Sequence, residues 1–199
     1  DRIIPVVSAD SQELQAHVAK SLGEEAIAIQ DPPLGTGHAV LSARDQLADF
    51  DGDLIVLYGD TPLIPQPAIE ALFDELSDGA DLGVLGFEAA VPGAYGRLVT
   101  DDSDNLEAIV EAKEATPKQL AIGLCNSGVM AGDAKRMFER LGKVTNDNAK
   151  GEYYLTDIVA IARQEGAACR VVRCEERDVQ GVNSRAELAA AEAAFQAGR

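Results

Sequence analysis

Short apolar runs and helix-period patterns take turns along almost the whole chain. Ile3–Val7 predicts a strand, and Asp10-x-x-Glu13 has the form of a helix N-cap backed by an acid three residues later. Ala26–Gln30 predicts a second strand. Asp31-Pro32-Pro33 must then be loop, because proline lacks the donor that continues a ladder. Leu34-Gly-Thr-Gly-His38 leads from there into a helix over Ala39–Leu47. Leu54–Tyr58 is apolar throughout, the pattern of a strand buried on both faces. Pro62, Pro65 and Pro67 mark the loop to a helix ending near Leu76, and Asp81–Phe87 predicts another strand.

From Gly96 the rhythm changes. Arg97–Thr100 and Leu106–Val110 flank the polar cluster Asp101–Asn105, which predicts a hairpin. A helix begins at Asp133 with Met137, Phe138 and Leu141 on one face and Gly142 as its stop. Another covers Asp157–Arg163, and Cys169–Arg173 predicts a late strand. Ser184-x-x-Glu187 caps a closing Ala-rich helix that runs to Ala197. Strand–helix alternation of this kind predicts an α/β fold: a mainly parallel sheet, helices on both faces and one antiparallel β-hairpin insertion. Residues 1–183 form the core and 184–199 the closing segment. No hexapeptide period of the kind that builds a β-helix is present.

Composition adds exclusions. At 199 residues, 46% apolar and 26% charged, the chain has the length and balance of one globular domain. Its apolar runs are strand-sized, so no membrane span is expected. The net charge of −17 opposes nucleic-acid backbone and anionic membrane alike. One small phosphorylated ligand remains acceptable if a metal ion, backbone N–H groups or local cations receive it. Three cysteines, none in a C-x-x-C pair, and no cleavable signal point to a reducing cytoplasm. The chain opens at Asp1 directly into a strand-like run, which predicts a natural start upstream.

In open α/β sheets, ligands bind beyond the carboxyl ends of strands, and three such loops carry unusual residues. After the second strand, Gln30 offers a carboxamide that matches the edge of a uracil, or of a cytosine if it flips. Gly35 and Gly37 let backbone approach a ligand, or else form a plain turn with Thr36 as helix cap. In Tyr58-Gly59-Asp60, the aspartate is either a turn-former or a carboxylate for Mg²⁺, which takes one or two protein carboxylates and fills its shell with phosphate and water. Asn183, before the closing helix, adds a neutral oxygen or merely begins that helix. Glu111, Asn126, Tyr153 and Thr156 each have a similarly plain alternative: a solvated charge, a bend, a core ring, a cap.

Taken in order, the segments Gln30-x-x-x-Leu-Gly-Thr-Gly-His-Ala39, Tyr58-Gly-Asp-Thr-Pro-Leu-Ile64, Ala94-Tyr-Gly-Arg97, Ile109-Val-Glu-Ala-Lys113, Asn126-Ser-Gly128, Gly151-Glu-Tyr-Tyr-Leu-Thr-Asp157 and Gly181-Val-Asn183 resemble the uridylyltransferase domain of the bacterial bifunctional N-acetylglucosamine-1-phosphate uridyltransferases. The resemblance runs over essentially the whole chain. It implies a Rossmann-like nucleotidyltransferase fold in the cytoplasm, and Mg²⁺-dependent uridylyl transfer from UTP to N-acetylglucosamine-1-phosphate. The products are UDP-N-acetylglucosamine, a cell-wall precursor, and pyrophosphate.

By the same resemblance Gln30, Gly35 and Thr36 meet the uridine, with Tyr58 and Gly59 beside the substrate. Asp60 and Asn183 hold Mg²⁺, Asp60 as the catalytic residue, and Gly96, Glu111, Asn126, Tyr154 and Thr156 line the sugar site. The family's opening loop Leu-Ala-Ala-Gly-x-Gly-Thr-x-Met and the Pro-Lys pair after it have no counterpart in these residues. Neither has its β-helix acetyltransferase domain, to which the family's homotrimer belongs. Two other readings stay open: a nucleotidyltransferase of different base or sugar, and a non-catalytic nucleotide-sugar-binding module.

Overall fold

A computed structural model describes residues 2–148 and 150–197. In chain order the strands are β1 (Val6–Ser8), β2 (Ala28–Gln30), β3 (Asp53–Val56), β4 (Leu82–Glu88), β5 (Arg97–Thr100), β6 (Leu106–Val110), β7 (Leu124–Asp133) and β8 (Cys169–Cys174). The helices are α1 (Gln12–Leu22), α2 (Thr36–Ser42), α3 (Gln66–Ser77), α4 (Pro117–Leu120), α5 (Ala134–Leu141), α6 (Asp157–Gln164) and α7 (Arg185–Ala197). The chain divides into two compact units, Asp1–Gly52 with Asp133–Ile161 and Asp53–Gly132 with Ala162–Arg199.

In the first unit β1 and β2 pair in parallel, Val6 with Ala28 and Ser8 with Gln30, which sets Gln30 at a strand tip. The expected stripe of Met137, Phe138 and Leu141 is buried on α5. Asp133 caps that helix, accepting the Arg136 N–H at 2.9 Å. Two details differ from expectation. The N-cap of α1 is Ser11 rather than Asp10 and makes no side-chain cap bond, and no residue of α1 is buried. The helix expected over Ala39–Leu47 starts three residues earlier, and Asp45–Leu47 forms a separate 3₁₀ turn. Gly142 is the stop of α5, as expected, and holds φ −65°, outside the left-handed region.

In the second unit six strands form one sheet in the order β6-β5-β7-β4-β8, with β3 also on β7. The Arg97–Thr100/Leu106–Val110 hairpin falls on the predicted residues. The α/β alternation and the hairpin are present, yet the sheet is mixed: β4 runs parallel to β8 but antiparallel to β7. The reason is β7 itself, a ten-residue strand that the sequence pattern leaves invisible. Asn126-Ser127-Gly128 reads as a bend, and in the structure it is a bulge within a strand. Register slips between Val84 and Gly86. Ser127 Oγ donates to the Leu85 carbonyl at 2.7 Å and accepts the Val129 N–H at 3.1 Å, so the polar residues serve backbone groups that the bulge would leave unpaired.

The core of this unit joins Ala68 and Leu72 of α3 to Leu85, Phe87, Cys125 and Val129 of the sheet. Leu54–Tyr58 is not buried on both faces: β3 stops at Val56, and Leu57 is 48% exposed. Among the described residues β3 pairs β7 alone, so only one of its edges is engaged. The closing segment is helical from Arg185 to Ala197, Ser184 Oγ accepting the Glu187 N–H at 3.2 Å; Gly198 and Arg199 lie outside the described residues.

Candidate functional site

In the first unit, the loop after β2 is stapled to the approach of α6. Gly35 adopts φ +108°, a conformation that L side chains rarely hold, and a Cβ there would lie 2.7 Å from the Tyr153 carbonyl. That closeness lets three hydrogen bonds form. Tyr153 N–H donates to Leu34 O at 2.8 Å, Gly37 N–H to Tyr153 O at 2.8 Å, and Leu155 N–H to Thr36 Oγ1 at 3.0 Å. Thr36 therefore opens α2 and braces a distant segment; it is not the cap, a position held by Gly35. Tyr154 and Thr156, half-buried, lie at the entrance to α6, where their carbonyls accept the Asp157 and Val159 N–H groups. Gln30 turns back over the loop, its Nε2 2.9 Å from Gly35 O and 3.2 Å from His38 Nδ1.

In the second unit, strand register brings Gly96, Glu111 and Asn126 together. Arg97 stands opposite Val110 on one side and Cys125 on the other, so Gly96 falls beside Glu111 and Asn126. The Gly96 carbonyl accepts the Asn126 N–H at 2.9 Å. A Cβ at Gly96 would stand 3.6 Å from Glu111 Oε1 and 3.7 Å from the Asn126 Cβ. Arg97, only 3% exposed, is a residue to which the sequence assigned no role. Its guanidinium donates to the carbonyls of Pro92, Gly93 and Tyr95, pinning the turn that leads into Gly96. Tyr95 also meets Phe87 edge to face at 5.0 Å.

The third grouping is Tyr58, Gly59, Asp60 and Asn183. Thr61 closes a tight turn on Tyr58 through its N–H and its hydroxyl, both donating to the Tyr58 carbonyl. Val182 N–H donates to Asp60 O at 2.7 Å, tying the two loops backbone to backbone. A Cβ at Gly181 would lie 3.5 Å from Asn183 Nδ2 and 4.0 Å from Asp60 Oδ2, so the two side chains are neighbours. Glu187, whose carboxylate takes the Asn183 N–H at 2.7 Å, fixes the start of that turn. That bond holds its carboxyl below the usual glutamate range. A carboxylate beside a carboxamide is a hard-oxygen donor pair, which fits Mg²⁺ sharing its shell with phosphate and water. Among the described residues no three His, Cys, Asp or Glu side chains gather as a metal cluster.

The cysteines take no part in these groupings. Burial pushes the half-buried Cys174 thiol up to about 11, with Asp178 and Glu175 adding to the shift, and raises Cys125 as well. A raised pKa keeps the protonated thiol, so at pH 8 Cys174 should alkylate at least about a hundredfold more slowly in the folded than in the urea-unfolded chain. Iodoacetamide labelling followed by mass spectrometry reads this directly, and equal rates would contradict it.

No protein-family model matches the chain. Its sequence is 59% identical to the Bifunctional protein GlmU of Hyphomonas neptunium over 196 residues, 98% of this chain and 42% of that protein. It is 51% identical to the Bifunctional protein GlmU of Caulobacter vibrioides over 199 residues, 100% of this chain and 43% of that protein. The chain thus spans less than half the length of these curated relatives. Among solved structures it resembles the nucleoside-diphosphate-sugar pyrophosphorylase of Vibrio cholerae, with a TM-score of 0.65 and 15% identity over 93% of this chain and 78% of that one. That likeness is one of fold, the Rossmann-like nucleotidyltransferase fold. No described helix is long and apolar enough to cross a membrane.

Proposed function

Because this chain belongs with the bifunctional GlmU proteins over the segment it shares with them, we propose that it carries their uridylyl-transfer chemistry: UTP and N-acetylglucosamine-1-phosphate give UDP-N-acetylglucosamine and pyrophosphate. An oxygen of the sugar phosphate attacks the α-phosphorus of UTP, and the bond from that phosphorus to the bridging oxygen of pyrophosphate breaks. Such a transfer needs in-line positioning and charge neutralisation more than covalent help from the protein.

The first unit supplies the uridine contacts, with the Gln30 carboxamide on the uracil edge and the Gly35–Thr36 backbone beside it. Tyr154 and Thr156 serve the sugar. In the second unit Glu111 accepts a sugar hydroxyl, next to Gly96 and Asn126, and an analogue lacking that hydroxyl forfeits the bond. Asp60 and Asn183 would hold Mg²⁺, with Tyr58 and Gly59 shaping the turn that presents Asp60. When bound, the ion neutralises charge on the phosphates. Substrates of this class lie in the cytoplasm, where this reading places the protein. Acetyl transfer and homotrimer assembly, implied by the same resemblance, are assigned to none of residues 1–199.

The observation that supports the reading most is the meeting of Asp60 and Asn183 at Gly181, brought from the two separate sequence segments of one unit. The test is a pyrophosphate-release assay on the full-length natural protein, with a panel of nucleoside triphosphates and sugar-1-phosphates plus Mg²⁺. Turnover confined to UTP and N-acetylglucosamine-1-phosphate is the expected result. Turnover with another pair would make this a nucleotidyltransferase of different specificity. Binding of UDP-N-acetylglucosamine with no turnover for any pair would make it a binding module.

A further inference from the structure

We infer that His38 is a specificity-determining positioning residue: with the Gly35 carbonyl it locks the Gln30 carboxamide so that only its carbonyl oxygen faces the nucleobase, selecting uracil over cytosine. The inference rests on the uridine role proposed for Gln30. It adds the reason why that side chain reads one pyrimidine and not the other.

A free carboxamide is ambivalent, since a half-turn about its last bond exchanges an acceptor for a donor. Gln30 is not free to turn. Its Nε2 lies 2.9 Å from Gly35 O, and a peptide carbonyl can only accept. The reversed amide would set two oxygens against each other at that distance. Nε2 also lies 3.2 Å from His38 Nδ1. With the amino group facing it, that ring nitrogen must be the unprotonated one, so the neutral ring carries its proton on Nε2. Two acceptors thus claim the two amide hydrogens, and Oε1 is left as the face to present.

The surroundings hold both acceptors in place. Gly35 is at the N-cap of α2, and its carbonyl also receives the Ala39 N–H at 3.0 Å, so both of its lone pairs are engaged. His38 lies in the first turn of α2, its ring 6.4 Å from the ring of Tyr153, in the segment stapled to the loop. Ser42 Oγ donates to the His38 carbonyl at 2.9 Å, closing the turn behind it.

The chemical consequence follows from the two bases. Uracil presents N3–H, a donor, which pairs with Oε1. Cytosine presents an unprotonated N3, whose lone pair would face Oε1 unpaired. A site built for a donor rejects the analogue that lacks it.

Two measurements on the full-length natural protein test the inference. In ¹⁵N-labelled protein without nucleotide, NMR should find the His38 proton on Nε2 and a scalar coupling across the Nε2–H···Nδ1 bond to Gln30; a proton on Nδ1 overturns the lock whatever the protein binds. Calorimetry with UTP and with CTP in Mg²⁺ then compares His38→Phe, which keeps a ring and removes the acceptor, with His38→Asn, which keeps an acceptor near the position of Nδ1. The wild type should prefer UTP, His38→Phe should lose about three- to tenfold of that preference, and His38→Asn should stay within about twofold of the wild type. An unchanged preference in His38→Phe overturns the inference, as does an equal loss in both variants. A wild type that binds UTP and CTP equally overturns it too, while leaving nucleotide binding in place. A wild type that binds neither overturns the uridine reading itself.

Discussion

Gly128→Ala should destabilise the protein by about 3 kcal/mol, lowering Tm by about 10 °C for a chain of this length. Two costs combine. Gly128 holds φ +92°, where an L side chain is strained, and its new Cβ would lie 2.7 Å from the Tyr58 ring. Both backbones are tied down: Asn126 Oδ1 accepts the Gly128 N–H at 3.0 Å, and the Tyr58 carbonyl is held by Thr61. Urea unfolding of the single variant measures the sum. The Gly128→Ala/Tyr58→Ala pair removes the collision and leaves the backbone strain, so it should cost less than the two single changes added together. Gly59→Ala is the control, because nothing lies within 4 Å of a Cβ placed there. A cost below about 1 kcal/mol for Gly128→Ala would contradict the bulge geometry.

Asp60→Asn should reduce Mg²⁺-dependent uridylyl transfer by about a thousandfold while leaving Tm within a degree or two of the wild type. The expectation of an intact fold has a structural basis. Asp60 is exposed, and the bond that joins its loop to Val182 uses its backbone carbonyl, which the substitution keeps. The loss should appear chiefly in kcat and should be eased in part by raising Mg²⁺, since a neutral carboxamide still offers one oxygen. Full activity in the variant would remove Asp60 from the chemistry, and a large fall in Tm would make the aspartate structural.

How much of this was legible beforehand varies by element. The hairpin was readable to the residue, because two β-rich runs flanking Asp101–Asn105 leave the chain no other local solution. In the first unit, the apolar stripe and Asp133 cap of α5 were equally plain. β7 was not, since Asn126, Ser127 and Gly128 interrupt its apolar pattern, and only the register slip opposite Val84–Gly86 gives those residues their partners. Arg97 escaped for a related reason. A lone arginine after a glycine carries no local signal, and its three carbonyl partners come into reach only once the Pro92–Tyr95 turn has formed.

Sequence alone determined which chemistries the chain has to hand: a carboxamide at a strand tip, an aspartate beyond a strand, an asparagine before a capped helix, and a net charge of −17. Those follow from residue type, from short-range periodicity and from the sum of charges, none of which needs the chain to be folded. The tertiary structure decided which groups meet. Strand register set Gly96 beside Glu111 and Asn126, one backbone bond drew Asp60 to the turn before Asn183, and a carbonyl and an imidazole drew in the amino end of Gln30. Such meetings depend on pairings far apart in sequence. Local patterning can supply the partners of each pairing, but the register that joins them is set only when the sheet closes and the core packs.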